Sequence, residues 1–104
     1  MSDTTYNGWK NYATWRVNLE IISDYVSQTV YDELEIAQEW LDMQTYDLTE
    51  TLKEYADDVI SNWGNLQESL ALDYARAFLE YVDWYEIAEH AQTEAKEALE
   101  YAKA

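Results

Sequence analysis

Cysteine is absent from the chain, which excludes disulfides and thiolate metal sites and fits a reducing compartment, so the cytoplasm is the expected location. Proline is absent too, and glycine occurs only at Gly8 and Gly64. The punctuation that many strands and tight turns require is therefore nearly missing, and helices are what remains. Basic residues are scarce: six Lys and Arg stand against 22 Asp and Glu, for a net charge of −16. Such a chain repels nucleic acid, whose binding rests on Lys and Arg at phosphates, and is steered toward basic surfaces. No stretch approaches the roughly 20 apolar residues of a membrane span, and Met1 to Trp9 lacks the basic start and apolar run of a signal peptide. Neither export nor membrane insertion is expected.

What is present favours folding. Hydrophobic residues make up 48% of the 104, with five Trp, ten Tyr and one Phe, enough apolar area to offset the entropy of ordering the chain. The length suits one domain over residues 1–104. The expected fold is all-α, a compact bundle of four to five helices.

Apolar spacing places the helices. A first, about Asn11 to Ser23, carries Trp15, Leu19, Ile22 and Val26 with Asn11 as cap; its β-branched residues leave strand as the alternative. A second, about Gln28 to Thr45, follows Ser27 as N-cap and carries Val30, Leu34, Ala37 and Leu41. A third, about Leu48 to Trp63, opens on the capping-box pair Asp47 and Glu50 and turns Leu52, Tyr55, Ala56, Val59 and Trp63 inward, with Gly64 ending it. Asn65 and Glu68 open a fourth to about Val82, in which Leu66, Leu70, Tyr74, Phe78, Leu79 and Val82 cover over half the circumference, the signature of a central helix. Asp83 and Glu86 open a last helix whose inward face, Ile87, Ala88, Ala91, Ala95 and Ala98, allows close packing. Short connections favour antiparallel neighbours.

Catalytic material is thin. His90 is the only histidine. Glu86, one turn earlier, could orient it or share an ion, but two ligands make no site. With 22 carboxylates, acidic pairs at helical spacing such as Asp57 with Asp58 or Glu94 with Glu97 say nothing about acid–base chemistry. No phosphate loop, zinc spacing or calcium loop is present. The reading is of a protein that is not an enzyme and uses no cofactor or metal.

The acids are nonetheless organised. Asp32, Glu35, Glu39 and Asp42 lie opposite the apolar stripe of the second helix. Glu50, Glu54, Asp57 and Asp58 do so on the third, and Glu86, Glu89, Glu97 and Glu100 on the fifth. An ordinary solvated face is one explanation, although such faces usually mix signs. Imitation of nucleic acid is another. Four carboxylates over three turns give one charge per about 4 Å, against about 1.7 Å for duplex DNA, so mimicry needs two neighbouring stripes. Tyr25, Tyr31, Tyr46 and Tyr85, off the stripes, either cover the core edges or form an aromatic binding surface.

Two stretches, Asn11-Tyr12-Ala13-Thr14-Trp15-Arg16-Val17-Asn18-Leu19 and Val82-Asp83-Trp84-Tyr85-Glu86-Ile87-Ala88-Glu89-His90, resemble the ends of a family of small proteins of bacteriophages and mobile elements. Those proteins read Asn, aromatic, any residue, Thr, Trp near the start and Asp-Trp with Ile-Ala near the end. The resemblance implies origin more than activity. In character the chain is also similar to acidic, helical anti-CRISPR and anti-restriction proteins. The functional expectation is a counter-defence protein in the cytoplasm of a host bacterial cell. It would block the basic nucleic-acid-binding surface of a defence complex, with no direct contact to nucleic acid or membrane. The alternative is a non-enzymatic interaction module with an aromatic surface, monomeric or dimeric and unrelated to DNA.

Overall fold

The computed structural model describes residues 5–62 and 70–103. Its elements are α1 (Tyr12–Val17), a π-helical turn (Asn18–Ile22), α2 (Ser23–Asp32), α3 (Leu34–Asp42), α4 (Thr45–Ser61), α5 (Leu70–Leu79) and α6 (Trp84–Lys103). The fold is an all-α bundle, with five helical rods among the described residues because α1, the π turn and α2 are continuous. The molecule measures 47 × 40 × 20 Å, a slab about two helix diameters thick.

The first rod does not end where expected. Ser27 lies inside α2, and the chain breaks instead at Glu33, with φ −130° and ψ 83°. The cause is tertiary: Tyr12 to Asp42 as one helix would be about 46 Å long at 1.5 Å per residue, whereas the break lets both α2 and α3 pack on α6. The acidic set Asp32, Glu35, Glu39, Asp42 is thereby split between two helices.

The π turn has a sequence cause. The buried residues of this rod are Ala13, Thr14, Val17, Ile22, Val26 and Val30. Val17 and Ile22 are five apart, which an α-helix would put on different faces. The Ser23 amide donates to the Asn18 carbonyl five residues back, and the widened turn brings both side chains inward. The expected stripe is corrected accordingly: Leu19 is 54% exposed and Trp15 half-buried.

On α3 the core residues are Ala37 and Trp40, while Leu34 is exposed. On α4, Leu48, Leu52, Ala56 and Ile60 are buried and Tyr55 and Val59 partly so. Asp47 does not cap this helix; it lies in the first turn after Gln44, where its charge favours the helix dipole. Trp63, Gly64, Asn65, Leu66 and Glu68 lie outside the described residues.

α6 is the centre of the bundle, packed against α3, α4 and α2. Ile87, Ala88, Ala91, Ala95 and Ala98 are all buried, as the spacing predicts. Their small size explains the centrality, since alanines let three helices approach one axis. The expectation that the fourth helix is central is overturned. α5 sits at the edge against α4 and α1; Leu72 is buried and Ala75 and Leu79 are half-buried, whereas Leu70, Tyr74 and Phe78 are exposed.

Before α1, Tyr6 and Trp9 exchange backbone hydrogen bonds of 2.7 and 2.8 Å around Asn7-Gly8. Both central residues have positive φ, 48° and 86°, the geometry that makes Asn-Gly favoured in a tight reversal. No helix among the described residues is long and apolar enough to cross a membrane.

Candidate interaction surface

The two motif-bearing stretches meet in space. The Asn11 side-chain oxygen caps α1 by accepting from the Thr14 amide at 2.8 Å and also accepts from the Thr14 hydroxyl at 2.7 Å. The Asn11 amide group donates to the Tyr81 carbonyl at 2.9 Å. Thr14, fully buried, accepts the Asp83 amide at 2.8 Å. Asp83 caps α6 through the Glu86 amide at 3.1 Å. The return half of that capping box is not made: the Glu86 carboxylate accepts the Lys10 amide at 2.8 Å, and Lys10 pairs with Asp83 at 3.8 Å. Polar side chains therefore fasten the two stretches together. The Trp15 ring contacts Tyr6 and Tyr12, and Trp84 is buried with its indole donating to the Leu79 carbonyl.

This tie accounts for His90. Its ring stacks on Trp9 with centroids 4.1 Å apart and planes 30° from parallel, so it anchors the turn that precedes α1. Among the described residues no hydrogen bond or ion pair joins it to Glu86, and no three or more His, Asp or Glu groups converge to hold a metal ion. Beside the stack lies a cleft of about 230 Å³ lined in part by Asn18, Ser23, Glu94 and Glu97. Burial there, and then the neighbouring Glu97, push the Glu94 carboxyl above its ordinary value.

The twelve acids singled out from the sequence divide in two. Asp57 and Glu86 are half-buried and engaged internally, Asp57 by Arg76 at 3.0 Å and Glu86 as above. The other ten, Asp32, Glu35, Glu39, Asp42, Glu50, Glu54, Asp58, Glu89, Glu97 and Glu100, are exposed. Asp47, read as a cap, belongs with them: Asp47, Glu50, Glu54 and Asp58 recur at three and four residues along α4, opposite its buried face, and all are exposed. Among the described residues the ion pairs are Lys10–Asp83, Arg16–Glu20 and Arg76–Asp57, and none draws on this ridge. Glu35, Glu39 and Asp42 form the matching face of α3, with Gln38 donating to Asp42 at 3.1 Å. Glu89, Glu97 and Glu100 do so on α6.

The α4 ridge holds four charges in about 16 Å of axis, one per about 5.5 Å between neighbours and roughly threefold sparser than duplex DNA. The three ridges belong to neighbouring helices, since α6 packs on both α3 and α4. Of the tyrosines expected off the stripes, Tyr46 and Tyr85 are exposed, 66% and 51%. Tyr31 meets Tyr101 edge-on. Tyr25 stacks on Tyr55 at 3.8 Å, and burial raises its phenol above the ordinary value.

A family model described as a family of unknown function, DUF7249, matches residues 2–102. The chain belongs to the DUF7249 family. The match runs through both the tie and the ridges, so in this DUF7249 member the fastening of the ends and the acidic surface lie within one family unit. Comparison with curated proteins and with solved structures finds no match.

The Gln92 clasp had no motif to announce it. From α6 its amide group donates to the carbonyls of Trp40 at 3.0 Å and Met43 at 2.9 Å, while its oxygen accepts the Thr45 hydroxyl at 2.7 Å. One side chain thus closes the end of α3 and the start of α4, fixing the angle between two ridges.

Proposed function

We propose that this chain is a non-enzymatic binding protein whose acidic ridges occupy the basic, nucleic-acid-binding surface of a partner. The resemblance of its two end motifs to bacteriophage and mobile-element proteins makes a host defence complex, a CRISPR effector or a restriction enzyme, the partner class. The observation that carries the reading is the exposed α4 ridge Asp47, Glu50, Glu54, Asp58, with further exposed carboxylates on α3 and α6. Exposed like charges at intervals of about 5.5 Å cost self-repulsion in the free protein, and a basic surface relieves it. Because one ridge is sparser than a duplex, α3, α4 and α6 act together, and the partner's cations bridge between helices.

The test is capture from bacterial lysate at low and high salt, with duplex DNA as competitor. The reading expects nucleic-acid-binding proteins that are released by salt and displaced by DNA. Capture that neither salt nor DNA reverses would refute it.

A further inference from the structure

We propose that the outer face of α5 is the contact between two copies of this chain, which pair about a two-fold axis as a weak dimer. A helix that is apolar all round belongs in a core, yet α5 lies at the edge of the slab. Leu70 and Tyr74 are 65% and 68% exposed, and Phe78 and the following Tyr81 are 37% and 72% exposed. Leu70, Tyr74 and Phe78 recur every four residues, a ridge flanked on either side by the exposed Ala71 and Ala77. Ridges of this spacing pack into the grooves of a like helix in the commonest class of helix pairing.

Beside the ridge, between α5 and the π turn, is a mostly apolar hollow of about 150 Å³ lined by residues including Ile21, Ile60, Phe78 and Leu79. A hollow of that volume accepts a benzene-sized group, hence one tyrosine ring of a second copy. Each copy thus offers both ridge and hollow, as a two-fold interface requires.

Charge makes this the face on which a second copy can sit. Two molecules of −16 repel wherever their acids face each other. The charged residues of α5, Asp73 and Arg76, lie off the Leu70, Tyr74, Phe78 ridge and sum to zero, Arg76 being paired with Asp57, whereas α3, α4 and α6 all carry net negative charge. With about 150–250 Å² per fully bare aromatic side chain, the four exposed residues offer about 500 Å² per copy. A pair then buries about 1,000 Å², the lower end of specific interfaces. This contact is separate from the acidic ridges and has the opposite response to salt.

Sedimentation equilibrium of the whole chain, from about 10 µM to about 1 mM and at about 50 mM and about 500 mM NaCl, tests it. The weight-average mass should climb from 12.3 kDa toward twice that value, and the dimer constant should tighten at least tenfold at high salt. Leu70→Ser with Tyr74→Ser should abolish the rise while leaving the helical circular dichroism intact. Should that variant misfold, amide shifts of the wild-type chain on dilution serve instead, and they should be confined to α5 and the π turn. A mass of 12.3 kDa throughout, a dimer weakened by salt, or dilution shifts centred on α4 or α6 would overturn the proposal.

Discussion

Replacing Thr14 by valine keeps the shape of a fully buried side chain and removes one oxygen. That oxygen donates to Asn11 at 2.7 Å and accepts the Asp83 amide at 2.8 Å. Without it the Asp83 N–H, at the start of α6, loses its partner inside the seam between the ends. An unsatisfied buried donor costs about 1–3 kcal/mol, and the hydrogen bond to Asn11 adds about 1, so Thr14→Val should destabilise by about 2–4 kcal/mol. For a domain of this size that is a fall of roughly 10–20 °C in Tm. Thr14→Ser keeps the oxygen and loses a methyl group, about 1 kcal/mol. Asn11→Ala removes the α1 cap and the bond to Tyr81. Combined with Thr14→Val it should cost less than the sum of the two, because the pair shares one network. Urea denaturation followed by circular dichroism measures each, and hydrogen exchange at the Asp83 amide reports the seam directly. Thr14→Val within about 0.5 kcal/mol of wild type, the size of a neutral surface change, or Thr14→Ser worse than Thr14→Val, would refute the reasoning.

Two further outcomes follow from the same geometry. Gln92→Leu strands the carbonyls of Trp40 and Met43 and the Thr45 hydroxyl, and should cost about 2–3 kcal/mol by urea titration, with exchange quickened at the α3–α4 junction before elsewhere. Glu94 has a folded-state value above its ordinary one, so the native chain holds more protons than the unfolded chain just above the ordinary carboxylate value. Ionising it in its part-buried position beside Glu97 therefore costs stability as pH rises through that window, and acidification restores it. Glu94→Gln should be more stable than wild type at pH 7, and the advantage should vanish once the pH falls below the ordinary carboxylate value. A constant difference across a pH series of thermal melts would contradict this.

The sequence was most readable where local chemistry and packing agree. The alanine face of α6 and the caps Asn11 and Asp83 lie where spacing and residue type put them, because both demands point the same way. The π turn was not read, because the expected stripe ran through Trp15 and Leu19 and passed over Val17, whose burial with Ile22 five residues on is what reveals it; the Asn7-Gly8 reversal was not read either. Glu33 was not legible as a break, since glutamate is a good helix former and the interruption serves the docking of α2 and α3 on α6. α5 misled because its all-round apolar pattern signals burial without saying what does the burying. Among the acids, spacing found the exposed ridges, but Asp57 and Glu86 are drawn inward by Arg76 and Lys10, residues distant in the chain. Asp47 passed for a cap because a capping residue and a first-turn acid occupy almost the same position in sequence.

The central claim, that the ridges bind a basic nucleic-acid-handling surface, is tested most directly by the affinity for the captured partner measured across a salt series. Wild type is compared with a chain carrying Glu50→Lys, Glu54→Lys and Asp58→Lys, its fold checked by circular dichroism. The account predicts that wild-type affinity falls steeply and linearly on a logarithmic scale as salt rises, and that the reversed ridge weakens binding and flattens that slope. Equal affinity and equal slope for the two chains would contradict it.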